Sequence, residues 1–215
     1  MSAPGFELIL ASASPRRREL VALLGIPFRV VPSLYDEPPA PGVPVPLAEL
    51  VTSLAVAKAT EVASRLNTGW VLGADTLVSL DEDVGVPLGK PTDRSDAARM
   101  LRLLSGRSHF VYTGVALLAP ARAGELAQPV TSVTRTRVWF RDLADAMIAD
   151  YIDTGEPMDK AGAYGAQGFA APFIERFDGD YYNVVGLPLC DVGRLLERCG
   201  MDWYKWRETA SARTS

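Results

Sequence analysis

The sequence predicts an α/β fold, and its first three elements give the strongest reason. Residues 6–11 form an apolar run of the kind that makes a buried strand. The helix that follows has Ser14 as a suitable N-cap, Pro15 at its first position and Gly25 as its end. Residues 27–33 then predict a second strand. A strand, a helix and a strand in direct succession are typical of α/β proteins.

The rest of the chain predicts alternating strands and helices separated by loops. The first half contains a proline-rich loop at 34–46, a helix at 47–66, a strand, tight break and second strand at 69–80, a turn-rich hairpin or loop at 81–93 and a helix at 94–106. The second half contains strands at 108–120 and 129–143 and a helix at 142–155. It ends with a glycine-rich segment and strand at 159–179, and a loop or short strand followed by a helix at 181–200. We expect residues 1–215 to form one domain. In the tail at 201–215, the aromatic residues should pack on the body and the polar end should fray.

Composition excludes several classes of protein. With 22 Lys+Arg against 26 Asp+Glu, the net charge of −4 argues against nucleic-acid or membrane-surface binding. Two cysteines predict a reducing, cytoplasmic setting. The N-terminus lacks the features of a signal peptide, and no apolar window reaches the roughly 18 residues of a membrane span. A single histidine argues against a histidine-based zinc site, so a metal would be Mg²⁺ or Mn²⁺ bound by oxygens.

Three arginines, Arg16, Arg17 and Arg18, occupy the start of the first predicted helix. The first turn carries exposed N–H groups and the positive end of the helix dipole, so arginines are disfavoured there unless an anion binds. Arginine also binds phosphate through paired hydrogen bonds. One interpretation is a polyphosphate site made of Ser12, Ser14, Arg16 and Arg17, and the other is a solvated helix face. The segment alone favours neither, and Arg18 is assigned to the solvated face.

Asp75 lies in the apolar segment "VLGADTLV", residues 71–78. A carboxylate in this setting is a metal ligand, a general base or a turn-forming residue. Asp36 and Glu37 in the proline-rich loop offer a second carboxylate set. Two carboxylate sites with one phosphate site are what Mg²⁺-assisted hydrolysis of a phosphoanhydride needs.

Lys58, Lys90 and Gln167 are further candidates. Lys58 lies among alanines in a predicted helix and Lys90 on a loop, although each is more often an ordinary surface lysine. Gln167 belongs to "DKAGAYGAQG", residues 159–168, where small residues let a ligand approach the backbone. Its amide both donates and accepts, which suits a pyrimidine edge, and water is the alternative partner. Neither GxxxxGK[ST] nor GxGxxG occurs, so no P-loop or Rossmann phosphate site is predicted.

Seven segments occur in a fixed order: "LASASPRRRELVALLG", "DE" at 36–37, "LAVAKA", "GADT", "GKP", "DKAGAYGAQG" and "VVGLPL". Together they resemble the Maf family of nucleotide pyrophosphatases, also called septum-formation inhibitors, over about residues 8–199. The resemblance implies a mixed, bent sheet with flanking helices and two lobes around a nucleotide-binding cleft, similar to the inosine-triphosphatase fold. It implies hydrolysis of a nucleoside triphosphate between the α and β phosphates, with a divalent cation. It also allows a homodimer.

The resemblance further implies roles for individual residues. Asp75 matches the family's proposed proton acceptor. Arg16, Thr76 and Gln167 match the positions that set substrate choice, and this combination resembles the branch acting on dTTP and UTP rather than the one acting on 7-methyl-GTP. We therefore expect the triphosphate to be bound by Arg16, Arg17, Lys58 and Lys90, the metal by Glu37 and Asp75, and the base by Thr76 and Gln167.

Two other functions stay open beside the house-cleaning removal of dTTP, UTP or modified pyrimidine nucleotides. The cleft could bind a nucleotide as a signal, so that the protein regulates septum formation without catalysis. It could also serve a purine enzyme of the inosine-triphosphatase type. Nucleotide binding without pyrophosphate release would favour the first, and preference for inosine triphosphate would favour the second.

Overall fold

The computed structural model describes residues 7–66, 68–120 and 127–206. The strands of this part are, in chain order, β1 (Leu8–Leu10), β2 (Phe28–Val30), β3 (Val45–Pro46), β4 (Trp70–Ser79), β5 (Val84–Gly85), β6 (Ser108–Leu118), β7 (Val130–Phe140) and β8 (Ile174–Asp178). Six of them form a mixed sheet in the order β2-β1-β4-β6-β7-β8, and β3 pairs with β5 separately. Strand β1 runs parallel to β2 and β4, whereas the pairs from β4 to β8 are antiparallel.

Helices flank this sheet, as the α/β prediction requires. They are α1 (Pro15–Ala22), α2 (Leu47–Ser64), α3 (Arg94–Leu104), α4 (Asp145–Asp153), α5 (Tyr181–Val185) and α6 (Leu189–Arg198), with 3₁₀ turns at Glu156–Asp159, Ala161–Ala163, Ala171–Phe173 and Trp203–Trp206. Among the described helices, none combines the length and apolar character needed to cross a membrane. The predicted mixed sheet with flanking helices is confirmed.

The first βα unit is built as the sequence predicts. The Ser14 hydroxyl accepts a hydrogen bond from the Arg17 amide at 3.4 Å, and Pro15 holds the first helical position. After the helix, Gly25 adopts a φ of +72°, a conformation that glycine reaches without steric cost. This turn leads into β2, which pairs with β1 in parallel. The unit therefore fixes the arginines beside the end of β1.

Helix α2 packs unusually close to one face of the sheet. The apolar cluster there comprises Ile9, Ala11, Ala55, Ala59, Val62, Ala63, Val71, Ala116 and Leu118. A Cβ at Gly73 would overlap the carbonyl oxygen of Ala55, and one at Gly114 would lie 2.6 Å from that of Val51. Because both glycines lack this atom, the backbone of α2 can pass directly over β4 and β6.

The opposite face carries two apolar clusters with a polar seam between them. One cluster packs β1 and the first half of β4 against α1 and α6, and the other packs the second half of β4 against α3 and α4. Between them lie Thr76, Thr113 and Asn183, which form the polar seam. The Asn183 amide donates to the carbonyl oxygen of Val111 at 3.0 Å, which helps to satisfy the buried group. The seam therefore divides this face of the sheet into two apolar halves, while the two lobes around a cleft stay a prediction.

The tight break predicted between Gly73 and Thr76 is wrong. Strand β4 is continuous, and every residue from Val71 to Ser79 has a partner on β6. The glycine, which suggested a turn, is required instead by the close approach of α2. Because the strand continues, Asp75 and Thr76 point to opposite faces of the sheet.

Two smaller predictions concern the C-terminal part. Residues 181–185 form a short helix instead of a loop or strand, because the Asp180 carboxylate accepts from the amides of Tyr182 and Asn183 at the helix start. In the tail, Trp203 is buried against Gly193 of α6, so packing on the body is confirmed for this residue. Tyr204 stacks on Trp203 but is 55% exposed. The side chain of Trp206, residues 207–215 and the first residue of the predicted strand at 6–11 lie outside the described part.

Candidate active site

Asp75 lies in the middle of β4 and faces α2. Its side chain is 8% exposed, and its Oδ1 lies 2.5 Å from the Nζ of Lys58. Lys58 lies about one helical turn beyond Ala55, the residue whose carbonyl passes over Gly73. The close packing of α2 on the sheet therefore sets the ammonium group against the buried carboxylate.

Glu37 adds a second carboxylate to this ion pair. Its Oε2 accepts a hydrogen bond from the Nζ of Lys58 at 2.7 Å, so one ammonium joins the proline-rich loop to β4. Burial raises the pKa of Asp75, an effect opposed by the positive charges of Lys58 and Arg17 and reinforced by Glu37. The predicted metal-binding pair, Glu37 and Asp75, is thus brought together around one cation.

Arg17 and Thr76 meet on the other face of β4, at the polar seam. The Nη2 of Arg17 donates to the Thr76 hydroxyl at 3.0 Å, and its Nε donates to the carbonyl oxygen of Gly186 at 2.9 Å. The Thr113 hydroxyl donates to the carbonyl oxygen of Asn183, so Thr76 is the donor in the 2.9 Å contact between the two threonines. Burial lowers the pKa of Arg17, although a guanidinium still stays charged. Protein acceptors therefore fix Arg17, and the contact of Thr76 with a base stays a prediction.

Arg16 pairs with a residue that the sequence analysis did not identify. Its Nη1 lies 3.3 Å from the Oδ2 of Asp159, whose Oδ1 accepts from the Nζ of Lys160 at 2.6 Å. Two cations thus share one carboxylate beside the start of α1. The adjacent acid and lysine that open "DKAGAYGAQG" were the available signal.

The two predicted serines shape the turn between β1 and α1. The buried Ser12 accepts a hydrogen bond from the amide of Ser14 at 3.2 Å, and Ser14 caps the helix. Arg18 is exposed, as expected. Phosphate binding by the serines stays a prediction.

Lys90 and Gln167 lie on two loops that the fold brings together. The Gly162 amide donates to the carbonyl oxygen of Gly89 at 3.1 Å, which joins the loop of Lys90 to the glycine-rich segment. Both side chains are exposed. Because neither makes a hydrogen bond or ion pair with the residues that the structure describes, both are free to reach a ligand.

The neighbourhood of Asp75 offers few donors to a metal ion. Within the described ranges, no three acidic, histidine or cysteine side chains converge on one point. Glu37 and Asp75 both contact the ammonium of Lys58, so the two carboxylates lie close enough to share one cation. Mg²⁺ is commonly held by one or two carboxylates, water and substrate phosphates. The residues present fit such a cation.

Comparisons with known proteins identify the family of the chain. The family model described as Maf-like protein matches residues 7–199. A dTTP/UTP pyrophosphatase of Moorella thermoacetica is 53% identical over 196 residues, which cover 91% of this chain and 96% of the relative. One from Geobacter sulfurreducens is 49% identical over 193 residues, with 90% and 96% covered. A solved nucleoside-triphosphatase / dITP/XTP pyrophosphatase from Mycobacterium abscessus aligns over 90% of this chain and 98% of its own, with a TM-score of 0.43 and 15% identity. By the family match and these relatives, the chain belongs to the Maf family.

Proposed function

We propose that the chain hydrolyses dTTP and UTP to the nucleoside monophosphate and pyrophosphate. The relatives at 53% and 49% identity bear the name of this activity. The observation that carries the proposal is the buried Asp75 carboxylate, held at 2.5 Å from Lys58 on the sheet that also positions Arg17. A buried proton acceptor paired with a cation suits attack of water on a polyanion.

In this reaction, water attacks the α phosphorus, and the bond between that phosphorus and the oxygen bridging it to the β phosphorus breaks. Pyrophosphate leaves with the bonding electron pair, and Asp75 accepts the proton of the attacking water. The Oδ2 of Asp75 makes no hydrogen bond to the described residues, so it is the oxygen available for that proton. Arg16, Arg17, Lys58 and Lys90 bind the triphosphate, while Ser12 and Ser14 shape the turn beside it.

Glu37 and Asp75 would hold Mg²⁺ or Mn²⁺. The bound cation would neutralise phosphate charge. Lys58 keeps the two carboxylates together on the protein side. Gln167 would contact the pyrimidine, because its exposed amide can both donate and accept.

The test is pyrophosphate release from dTTP, UTP, CTP, inosine triphosphate and 7-methyl-GTP with Mg²⁺ or Mn²⁺. We expect turnover of dTTP and UTP, and a loss of at least about a hundredfold in Asp75→Asn. Asp150→Asn, an exposed residue of α4, is the matched control. Nucleotide binding without release would instead indicate a regulator, and preference for inosine triphosphate would indicate a purine enzyme.

The cellular setting is also a proposal. Cys190 and Cys199 are free thiols, which is compatible with the reducing cytoplasm. We propose a single domain over residues 1–215, with the nucleotide as its partner and without nucleic acid or membrane. The homodimer stays a prediction.

A further inference from the structure

The segment 164–170, which carries Gln167, is tied down on both sides by one carboxylate that the mechanism above does not use. That carboxylate belongs to Glu156, the first residue of the 3₁₀ turn Glu156–Asp159. Its Oε2 accepts a hydrogen bond from the amide of Phe169 at 2.9 Å. Its Oε1 accepts one from the hydroxyl of Tyr151 at 2.9 Å, and that hydroxyl accepts from the amide of Gly165 at 3.2 Å. The two anchored amides flank Gln167.

The glycines of this segment make room for the carboxylate. A Cβ at Gly168 would overlap both oxygens of Glu156, and a Cβ at Gly165 would lie 2.7 Å from the Cε of Lys160 and 3.1 Å from the Oε1 of Glu156. The two glycines of the pattern Gly-Ala-Gln-Gly therefore accommodate the Glu156 carboxylate, in addition to any role in the approach of a ligand.

The direction of the hydrogen bonds depends on charge at Glu156. Burial, with the hydrogen bond to Glu156, raises the pKa of Tyr151, so its hydroxyl keeps its proton. The hydroxyl donates this proton in a hydrogen bond to the Glu156 carboxylate. Its oxygen is then left to accept a hydrogen bond from the Gly165 amide. An amide in place of the carboxylate cannot accept on both of its ends.

Gln167 itself makes no hydrogen bond to the described residues, and its side chain is exposed. Its position is therefore set by the backbone on either side of it. We propose that Glu156 is a positioning residue for nucleotide selection, which holds segment 164–170 so that the Gln167 amide faces the base. This inference rests on the proposed function.

The experiment measures KM and kcat for UTP, dTTP, CTP and inosine triphosphate in wild type, Glu156→Gln, Gln167→Ala and the double variant. We expect Glu156→Gln to raise KM for UTP and dTTP about tenfold, the effect of one hydrogen bond to a charged group, with a much smaller change in kcat. The preference for UTP over inosine triphosphate should fall by a similar factor. In the Gln167→Ala background the same change should have little further effect on preference, because the two residues act as one unit.

Two controls separate this role from general loss of structure. Tyr151→Phe removes the bond to Gly165 and should reproduce part of the KM effect, whereas Glu197→Gln, exposed on α6, should match wild type. Hydrogen exchange of residues 164–170, followed by mass spectrometry, should be faster in Glu156→Gln than in wild type. Unchanged exchange would overturn the role of Glu156 as an anchor, whatever the activity.

The remaining outcomes are distinct. An equal fall of kcat for all nucleotides with unchanged KM, or an undiminished effect in the Gln167→Ala background, would overturn the positioning role while leaving the proposed function intact. If wild type turned over none of these nucleotides, the proposed function would be overturned and the selection role with it.

Discussion

The two sides of β4 differ in how they hold their polar groups, although Asp75 and Thr76 are neighbours in sequence. On the charged side (Glu37, Lys58 and Asp75), two carboxylates share one ammonium. On the hydroxyl side (Arg17, Thr76 and Thr113), hydrogen bonds run in one direction and end on backbone carbonyl groups. The charged groups can change partners and bind a substrate or a metal instead of each other. In the chain of hydrogen bonds, by contrast, movement of any one group leaves a buried donor without its acceptor. We infer that the charged side carries the chemistry and the hydroxyl side fixes the geometry of Arg17.

The largest effect should come from removing the cation of the charged side. Lys58→Met leaves Asp75 buried without its partner, so we expect the free energy of unfolding to fall by on the order of 3 kcal/mol and pyrophosphate release to fall strongly. Denaturant unfolding at neutral pH measures the first quantity. Lys90→Met is the matched control for stability alone, because Lys90 is exposed and forms no ion pair with the described residues. Equal stability of the two variants would mean that the ion pairs of the charged side contribute nothing to the fold.

The position of the charged side depends on Gly73. In Gly73→Ala the added methyl would overlap the carbonyl oxygen of Ala55, so α2 must shift, at a cost of about 1–3 kcal/mol. Because α2 carries Lys58, activity should fall as well. Gly42→Ala adds the same methyl where no atom lies within 4 Å, and should change neither quantity. A fully active Gly73→Ala enzyme would mean that catalysis does not depend on the close packing of α2 on β4.

A smaller effect is expected on the hydroxyl side. Thr76→Val keeps the shape of the side chain but removes the acceptor of Arg17, so we expect a loss of about 1–2 kcal/mol in unfolding free energy and a raised KM. Thr76→Ser restores the hydroxyl and should recover most of both. If Thr76→Ser changed nucleotide preference as much as Thr76→Val, the methyl group would contact the base directly, and the comparison of the two sides would fail.

The sequence was most informative where local rules decide the structure. Ser14, Pro15 and Gly25 predicted the limits of the first helix, because caps and turns depend on nearby residues. The opposite orientation of Asp75 and Thr76 was missed, because Gly73 suggested a turn when it served a helix distant in sequence. A glycine in the sequence indicates that a side chain is not tolerated at that position, but it does not show which neighbouring atoms exclude the side chain.

The site shows the same limit. The two carboxylates and Lys58 were identified as separate candidates, and only the fold shows that one ammonium bridges both. Glu156 was missed altogether, since it holds the loop through the Phe169 amide and, by way of the Tyr151 hydroxyl, through the Gly165 amide. Every residue type carries such an amide, so the sequence does not show which ones a side chain binds. Residues that bind through their own side chains were thus easier to predict than residues that hold a loop.

The last effect concerns a titrating group outside both sides of β4, and it develops only as the pH falls below neutral. His109, the single histidine, is buried on β6, with its Nε2 at 2.8 Å from the hydroxyl of Tyr164. Burial lowers its pKa from 6.5 to about 3, so the unfolded chain takes up a proton at a pH where the folded protein does not. Stability is therefore fully present above pH 6.5 and falls as the pH drops towards 3. The histidine should cost about 2 kcal/mol between pH 7 and pH 5.

His109→Gln removes this titration and keeps a partner for Tyr164. Its absolute stability will be lower, so the quantity to compare is the change in unfolding free energy between pH 7 and pH 5, which should be nearly flat in the variant. An equal decline in both proteins would assign the pH dependence to carboxylates instead. Any pH dependence of the unfolding free energy that remains in His109→Gln must come from other groups. The contribution of the charged side of β4 can then be measured separately in this variant, which sharpens the comparison of the two sides.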